Sequence, residues 1–128
     1  MRLLLDTHAF LWFIVADSSL SSRAKALIED PNNDILLSVG SLWEMAIKVS
    51  LGKLTISQPF NTFMTQQLSL NAISLLNISV DHTAAVATLP FHHRDPFDRL
   101  LAAQAMVEQL PLVSVDTVFD AYGVNRMW

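Results

Sequence analysis

The sequence predicts an α/β fold: one domain over residues 1–128, built on a central, mainly parallel sheet flanked by helices. Three observations carry the prediction. Short apolar runs of the kind that fill strands buried on both faces recur along the chain. Between them lie longer stretches with helix caps and helically spaced apolar residues, so that strand and helix alternate. No repeat, low-complexity tract or linker interrupts a chain of 128 residues that is 52% apolar, the size and make-up of one compact unit with one core.

The elements follow in order. Leu3-Leu4-Leu5 reads as a buried strand that stops abruptly at Asp6-Thr7. Residues 8–15 are apolar and aromatic, and Ser18-Ser19 and Ser21-Ser22 then offer caps for a helix through Ala24, Leu27 and Ile28. Pro31-Asn32-Asn33-Asp34 closes that unit as a turn. Ile35-Leu36-Leu37-Ser38-Val39 is a second strand, and Gly40-Ser41 leads into a helix carrying Trp43, Ala46, Ile47 and Val49 that Gly52 stops. A helix is expected after Pro59, a strand over residues 73–76, and a helix from about Asp81 to before Pro90. Phe91-His92-His93-Arg94 links into Asp95-Pro96-Phe97-Asp98, where proline at a first helical position suits a helix running to Glu108. Leu112-Val113-Ser114-Val115 is a further strand, followed by Asp116.

Composition excludes several chemistries. The longest apolar stretch, residues 9–16, is far short of the roughly 20 residues a membrane helix needs. Arg2 before an apolar run imitates a signal peptide, but Asp6 and His8 break the run. A cytoplasmic protein with no membrane partner is expected. There is no cysteine, which removes thiolate catalysis, disulfides and cysteine-bound zinc. The formal net charge of −4 argues against a module that grips nucleic acid over a broad basic face. It leaves room for an acidic nuclease, because bound divalent cations reverse the local field where a phosphate approaches.

The acids carry the chemical argument. In open parallel sheets the site lies beyond the carboxyl ends of the strands, where Asp6 and Asp116 both fall. Each also suits a helix cap or a turn, the bland reading of either alone. Ser41-Leu42-Trp43-Glu44 fits a capping box, and Glu44 is also spaced to pair with Lys48; alternatively, near the start of a helix that follows a strand, Glu44 points into the same crevice. Asp95 reads as the N-cap before Pro96, or as support for the site. Asp98 is the preferred metal ligand of that segment, although its place also suits the helix dipole. Converging carboxylates repel one another and stay ionised together only with cations between them. Mg2+ or Mn2+ suits an all-oxygen donor set, with a water activated by the ion attacking phosphorus.

Thr7 and Ser114 stand beside these acids as supporting hydroxyls, or as ordinary turn and strand residues. Arg94 and Arg99 flank the Asp95–Asp98 segment; contact with RNA phosphate, tying down an acid and plain solvation are all open. His92 and His93 are expected to point opposite ways on an extended link and so to serve packing or substrate contact rather than zinc. Trp12, Trp43, Phe97 and Phe119 are assigned to the core in preference to base stacking. The apolar content and the aromatic stretch from Phe10 to Phe13 suggest a dimer or partner surface.

The sequence resembles the PIN-domain family, and within it the VapC-like toxins of bacterial toxin–antitoxin pairs. The resemblance runs nearly end to end. It is carried by Leu3-Leu4-Leu5-Asp6-Thr7-His8, by Ser41-Leu42-Trp43-Glu44 with Lys48 and Gly52-Lys53-Leu54, by the most specific segment, His93-Arg94-Asp95-Pro96-Phe97-Asp98-Arg99-Leu100-Leu101-Ala102-Ala103-Gln104-Ala105, and by Val113-Ser114-Val115-Asp116. It implies a three-layer α/β/α fold and an acidic site of Asp6, Glu44, Asp98 and Asp116. Asp6 and Asp98 are foremost among the implied Mg2+ ligands, Asp116 is the third, and Asp95 assists. It further implies RNA as substrate, a homodimer, and a cognate antitoxin that blocks the cleft, often with a basic side chain. Ser114 stands where such proteins often have threonine, which keeps the hydroxyl.

Two other classes remain. A Mg2+-dependent phosphatase or phosphotransferase with an aspartyl nucleophile also places an aspartate after the first strand, but expects a second aspartate where this chain has His8. A non-catalytic interaction module of the same fold would not need the complete acid set. An NTPase is disfavoured by the lack of a Gly-rich loop with Gly-Lys-Ser/Thr.

Overall fold

A computed structural model describes all 128 residues. Five strands form one sheet in the order β3-β2-β1-β4-β5, and every neighbouring pair is parallel. They are β1 (Arg2–Leu5), β2 (Asp34–Ser38), β3 (Ile73–Leu76), β4 (Leu112–Val113) and β5 (Arg126–Met127). The helices are α1 (Thr7–Ile14), α2 (Ser22–Glu29), α3 (Val39–Ser50), α4 (Phe60–Leu70), α5 (Val80–Ala87) and α6 (Pro96–Glu108), with a 3-10 helix at Thr117–Tyr122.

Strand alternation divides the core in two, and this explains why the strands read as unbroken apolar runs. Leu3 and Leu5 lie beside Ile35 and Leu37 on one face, packed with Phe10, Ala24, Met45 and Met64 from α1 to α4. Leu4 sits between Leu36 and Leu112 on the other face, against Leu101, Ala102 and Ala105 of α6 and Phe119 of the 3-10 helix. Leu3, Leu4 and Leu5 are all fully buried. A strand covered on both sides has no polar face to show. The result is a helix–sheet–helix sandwich, as the resemblance implied.

The structure corrects two local readings. Helix α3 begins at Val39, capped by Ser38, whose Oγ accepts the Gly40 amide at 3.0 Å. The serine at the strand's end takes the capping role, so Ser41-Leu42-Trp43-Glu44 is not a capping box and Glu44 lies in the second turn. Gly40 lets α3 close on α6: a Cβ there would stand 2.6 Å from Leu100 Cδ2. The last predicted strand is only two residues long, so Ser114 and Asp116 lie beyond it, and β5 was not anticipated.

Candidate active site

The carboxyl ends of β1 and β4 lie side by side, and each hands a residue to the same cleft. Asp6 follows β1 directly. Its Oδ1 accepts the His8 amide at 2.9 Å, capping α1, and its Oδ2 accepts the Ser114 hydroxyl at 2.7 Å. The same Ser114 Oγ accepts the Asp116 amide at 3.0 Å, so one buried serine ties the two strand-end acids together. Asp116 Oδ1 caps the 3-10 helix through the Val118 amide at 3.0 Å. Asp95 Oδ1 caps α6 through the amides of Phe97 and Asp98 at 2.8 and 3.1 Å. Capping does not exclude a further contact for Asp6 or Asp116, because a carboxylate's two oxygens carry about four acceptor positions between them.

Glu44 reaches the site from α3 and is almost fully buried. Its Oε1 lies 2.8 Å from Thr7 Oγ1 and its Oε2 lies 3.3 Å from Lys48 Nζ. Thr7 Oγ1 also sits 2.9 Å from Ser41 Oγ. A hydroxyl has one proton to give, and Thr7 directs it at the stronger acceptor, the carboxylate.

Crowded acids oppose one another's ionisation. The Asp98 pKa is pushed up to about 7, first by burial and then by the charges of Asp6, Asp95, Glu44 and Asp116. Burial also raises Asp6, partly offset by its bonds from Ser114 and His8. A cleft of about 360 Å³ opens among Asp6, Asp98 and Asp116. These oxygens fit a hard divalent cation such as Mg2+ or Mn2+, which accepts carboxylates and needs no sulfur or imidazole.

The sequence matches the family described as PIN domain over residues 3–125. The chain is a PIN domain. It is similar to ribonuclease VapC16 of Mycobacterium tuberculosis, with 35% identity over 63 residues, a stretch covering 49% of this chain and 45% of that protein. The match therefore spans less than half the length of that curated relative. The fold is shared with VapBC2 from Rickettsia felis, solved with a DNA fragment from its promoter, at a TM-score of 0.74 and 20% identity over 99% of this chain and 98% of that one. It is shared also with FitAcB from Neisseria gonorrhoeae, at a TM-score of 0.68 and 20% identity over 100% and 97% of the two chains. A toxin–antitoxin complex from Klebsiella pneumoniae gives 0.62 and 20% over 98% and 96%.

This PIN domain adds a residue that sequence reasoning left outside the site. His93 Nε2 lies 2.9 Å from Asp98 Oδ2 and 3.7 Å from Asp116 Oδ2. The three form a group whose ligating atoms lie within 4.8 Å of one another. His93 Nδ1 accepts the Asp95 amide at 3.0 Å, so the proton of the neutral ring is on Nε2, pointed at Asp98. In this arrangement the imidazole is a donor that orients a carboxylate, not a metal ligand. The signal was present in the expected opposition of the two rings: His92 turns the other way and meets Tyr122 at a centroid distance of 5.0 Å.

Arg99, expected at the substrate, is instead buried within the PIN domain. Its Nη1 donates to the Pro90 carbonyl at 3.0 Å and its Nη2 to the Leu89 carbonyl at 3.1 Å, with His93 and Val86 carbonyls at 3.5 and 3.4 Å. Its charged carbon stands 4.0 Å over the Phe91 ring. The guanidinium organises the chain between α5 and α6, with both terminal nitrogens turned to backbone carbonyls. Arg94 is exposed. Of the aromatics assigned to the core, Phe119 is fully buried, while Trp43 is 62% exposed and meets Phe97 edge-on at 5.3 Å. Helical spacing sends Ser41, Glu44 and Met45 inward and leaves Trp43 outside.

Proposed function

We propose that this PIN domain is a Mg2+- or Mn2+-dependent endoribonuclease that hydrolyses RNA phosphodiester bonds and acts in the cytoplasm as the toxin of a toxin–antitoxin pair. The observation that supports it most is the electrostatic one. Asp98 is held near pKa 7 by burial and by four surrounding acids, a conflict that a divalent cation relieves.

Asp6, Asp98 and Asp116 would hold the ion, with Glu44 completing the acidic wall. A divalent cation bound there supplies positive charge to the scissile phosphate and its leaving oxygen and eases deprotonation of the attacking water. The chain's own part is to keep the oxygens in place. Ser114 fixes Asp6, the His93 ring fixes Asp98, and the Val118 amide fixes Asp116. Lys48 and Thr7 hold the Glu44 carboxylate in place. Arg94, exposed beside His93, would meet an RNA phosphate.

An antitoxin partner accords with the similar solved structures, which include VapBC2 from Rickettsia felis and a toxin–antitoxin complex from Klebsiella pneumoniae. A basic antitoxin side chain complements the acidic cleft. A homodimer or partner interface would cover apolar residues that now face solvent, among them Leu70, Leu75, Ile78 and Val80. Sequencing the new RNA ends in cells expressing the protein tests the proposal. Ends that recur at defined sites and vanish with Asp6→Ala support it, and an unchanged end profile refutes it.

A further inference from the structure

The cleft is not acidic throughout. Besides Asp6, Asp98 and Asp116 it is lined by His8, Trp12 and Val115. His8 and Trp12 are one turn apart on α1, and their rings approach to 5.7 Å between centroids at 41°. Trp128 supports Trp12 from its edge at 5.9 Å and 62°. On the same helix Leu11, Phe13 and Ile14 pack against the core cluster, whereas Trp12 is not part of that packing. A half-buried indole that lines a cleft beside carboxylates offers apolar surface where a phosphate chain would pass. The cleft, about 360 Å³, falls within the roughly 300–1,000 Å³ typical of small-ligand sites.

We propose that His8 and Trp12 form a nucleobase subsite, on which a base next to the scissile phosphate stacks while that phosphate faces Asp6 and Asp98. The inference rests on the ribonuclease reading and deepens it. Bases offer neutral π-faces of any sequence to such a platform, so the subsite favours single-stranded RNA over a particular base. In a duplex both faces of a base are taken up by its neighbours, which excludes paired RNA from the platform.

The test uses the full chain carrying Asp98→Asn, which preserves RNA, and a short single-stranded oligoribonucleotide containing a fluorescent adenine analogue. Binding should quench the analogue. Trp12→Leu should abolish the quench and weaken binding about tenfold, since stacking on one aromatic side chain is worth roughly 1–3 kcal/mol per base. Trp12→Phe should retain most of both, and His8→Ala, at a side chain 57% exposed, should lose part without any cost to the core. Melting temperatures identify a variant that fails to fold, in which case Trp12→Phe and His8→Ala decide. Unchanged quench and affinity in these variants overturn the subsite, as does a cleft that takes a basic peptide at Trp12 and no RNA. If the quench depends on Trp12 but the unmutated protein cleaves no RNA, the subsite stands and the nuclease reading falls. With cleavage-competent protein, a rise in KM at constant kcat for Trp12→Leu supports stacking.

Discussion

His93 Nε2 donates to Asp98 Oδ2 at 2.9 Å, and the bond has a fixed direction because the Asp95 amide occupies the other ring nitrogen. Asp95, Pro96 and Asp98 thus share a short device: the aspartate that caps α6 also sets the ring that aims Asp98. Replacing His93 with alanine should lower cleavage about 10–100-fold, the usual effect of losing the partner of a metal-binding carboxylate. The loss should appear as a higher Mn2+ concentration for half-maximal rate. Full activity at low Mn2+ would remove His93 from the site.

Asp98 makes the stability of the metal-free protein depend on pH. Its folded pKa of about 7 exceeds its ordinary value of 3.8, so the folded state holds the proton more tightly than the unfolded chain. That contribution is complete below the unfolded pKa and is lost as pH rises through about 7. In EDTA the melting temperature should therefore fall between pH 5 and pH 8, Mn2+ should restore it at pH 8, and Asp98→Asn should flatten the profile. A metal-free melting temperature that rises over this range would contradict the electrostatic account.

Arg99 and Arg94 should separate cleanly. Arg99→Ala removes the guanidinium from the carbonyls of Val86, Leu89, Pro90 and His93 and should cost about 1–3 kcal/mol for the buried Leu89 carbonyl alone, seen as a lower melting temperature or denaturant midpoint. It should leave the salt dependence of RNA binding unchanged. Arg94→Ala should do the reverse, preserving stability and reducing the slope of log affinity against log salt by up to about one. An Arg99 variant that melts normally but binds RNA with a smaller salt slope would restore Arg99 to the substrate.

Ser114→Ala removes the hydroxyl between Asp6 and the Asp116 amide. Each group left without its partner costs about 1–3 kcal/mol, so both melting temperature and cleavage rate should drop. A loss of stability with full activity would show that the serine braces the fold but not the ligands.

Much of the fold was legible because its rules are local. The run at Leu3–Leu5 cannot show a polar face and announces a strand covered on both sides, and Pro96 after Asp95 announces a helix start. The short β5 carries no such signal: Arg126 and Met127 pair only because β4 leaves an edge beside them. Helix α1 was obscured because residues 9–16 are apolar all round, which erases helical period. At the site, the strand-end rule pointed to Asp6 and Asp116, and the structure puts both in one cleft with Asp98. His93 was harder, since two adjacent histidines look alike until the chain around Asp95 decides which one turns inward. Arg99 misled because charge suggests a surface, whereas unpaired carbonyls inside the fold attracted it.

The most direct test is the rate of RNA cleavage by purified protein as Mn2+ is titrated into an EDTA-treated sample, run beside Asp6→Asn and Asp98→Asn. The account expects no cleavage without the ion, saturating cleavage with it, and a loss of roughly two to four orders of magnitude in each variant. Cleavage that persists in EDTA, or that both variants perform at the full rate, would contradict it.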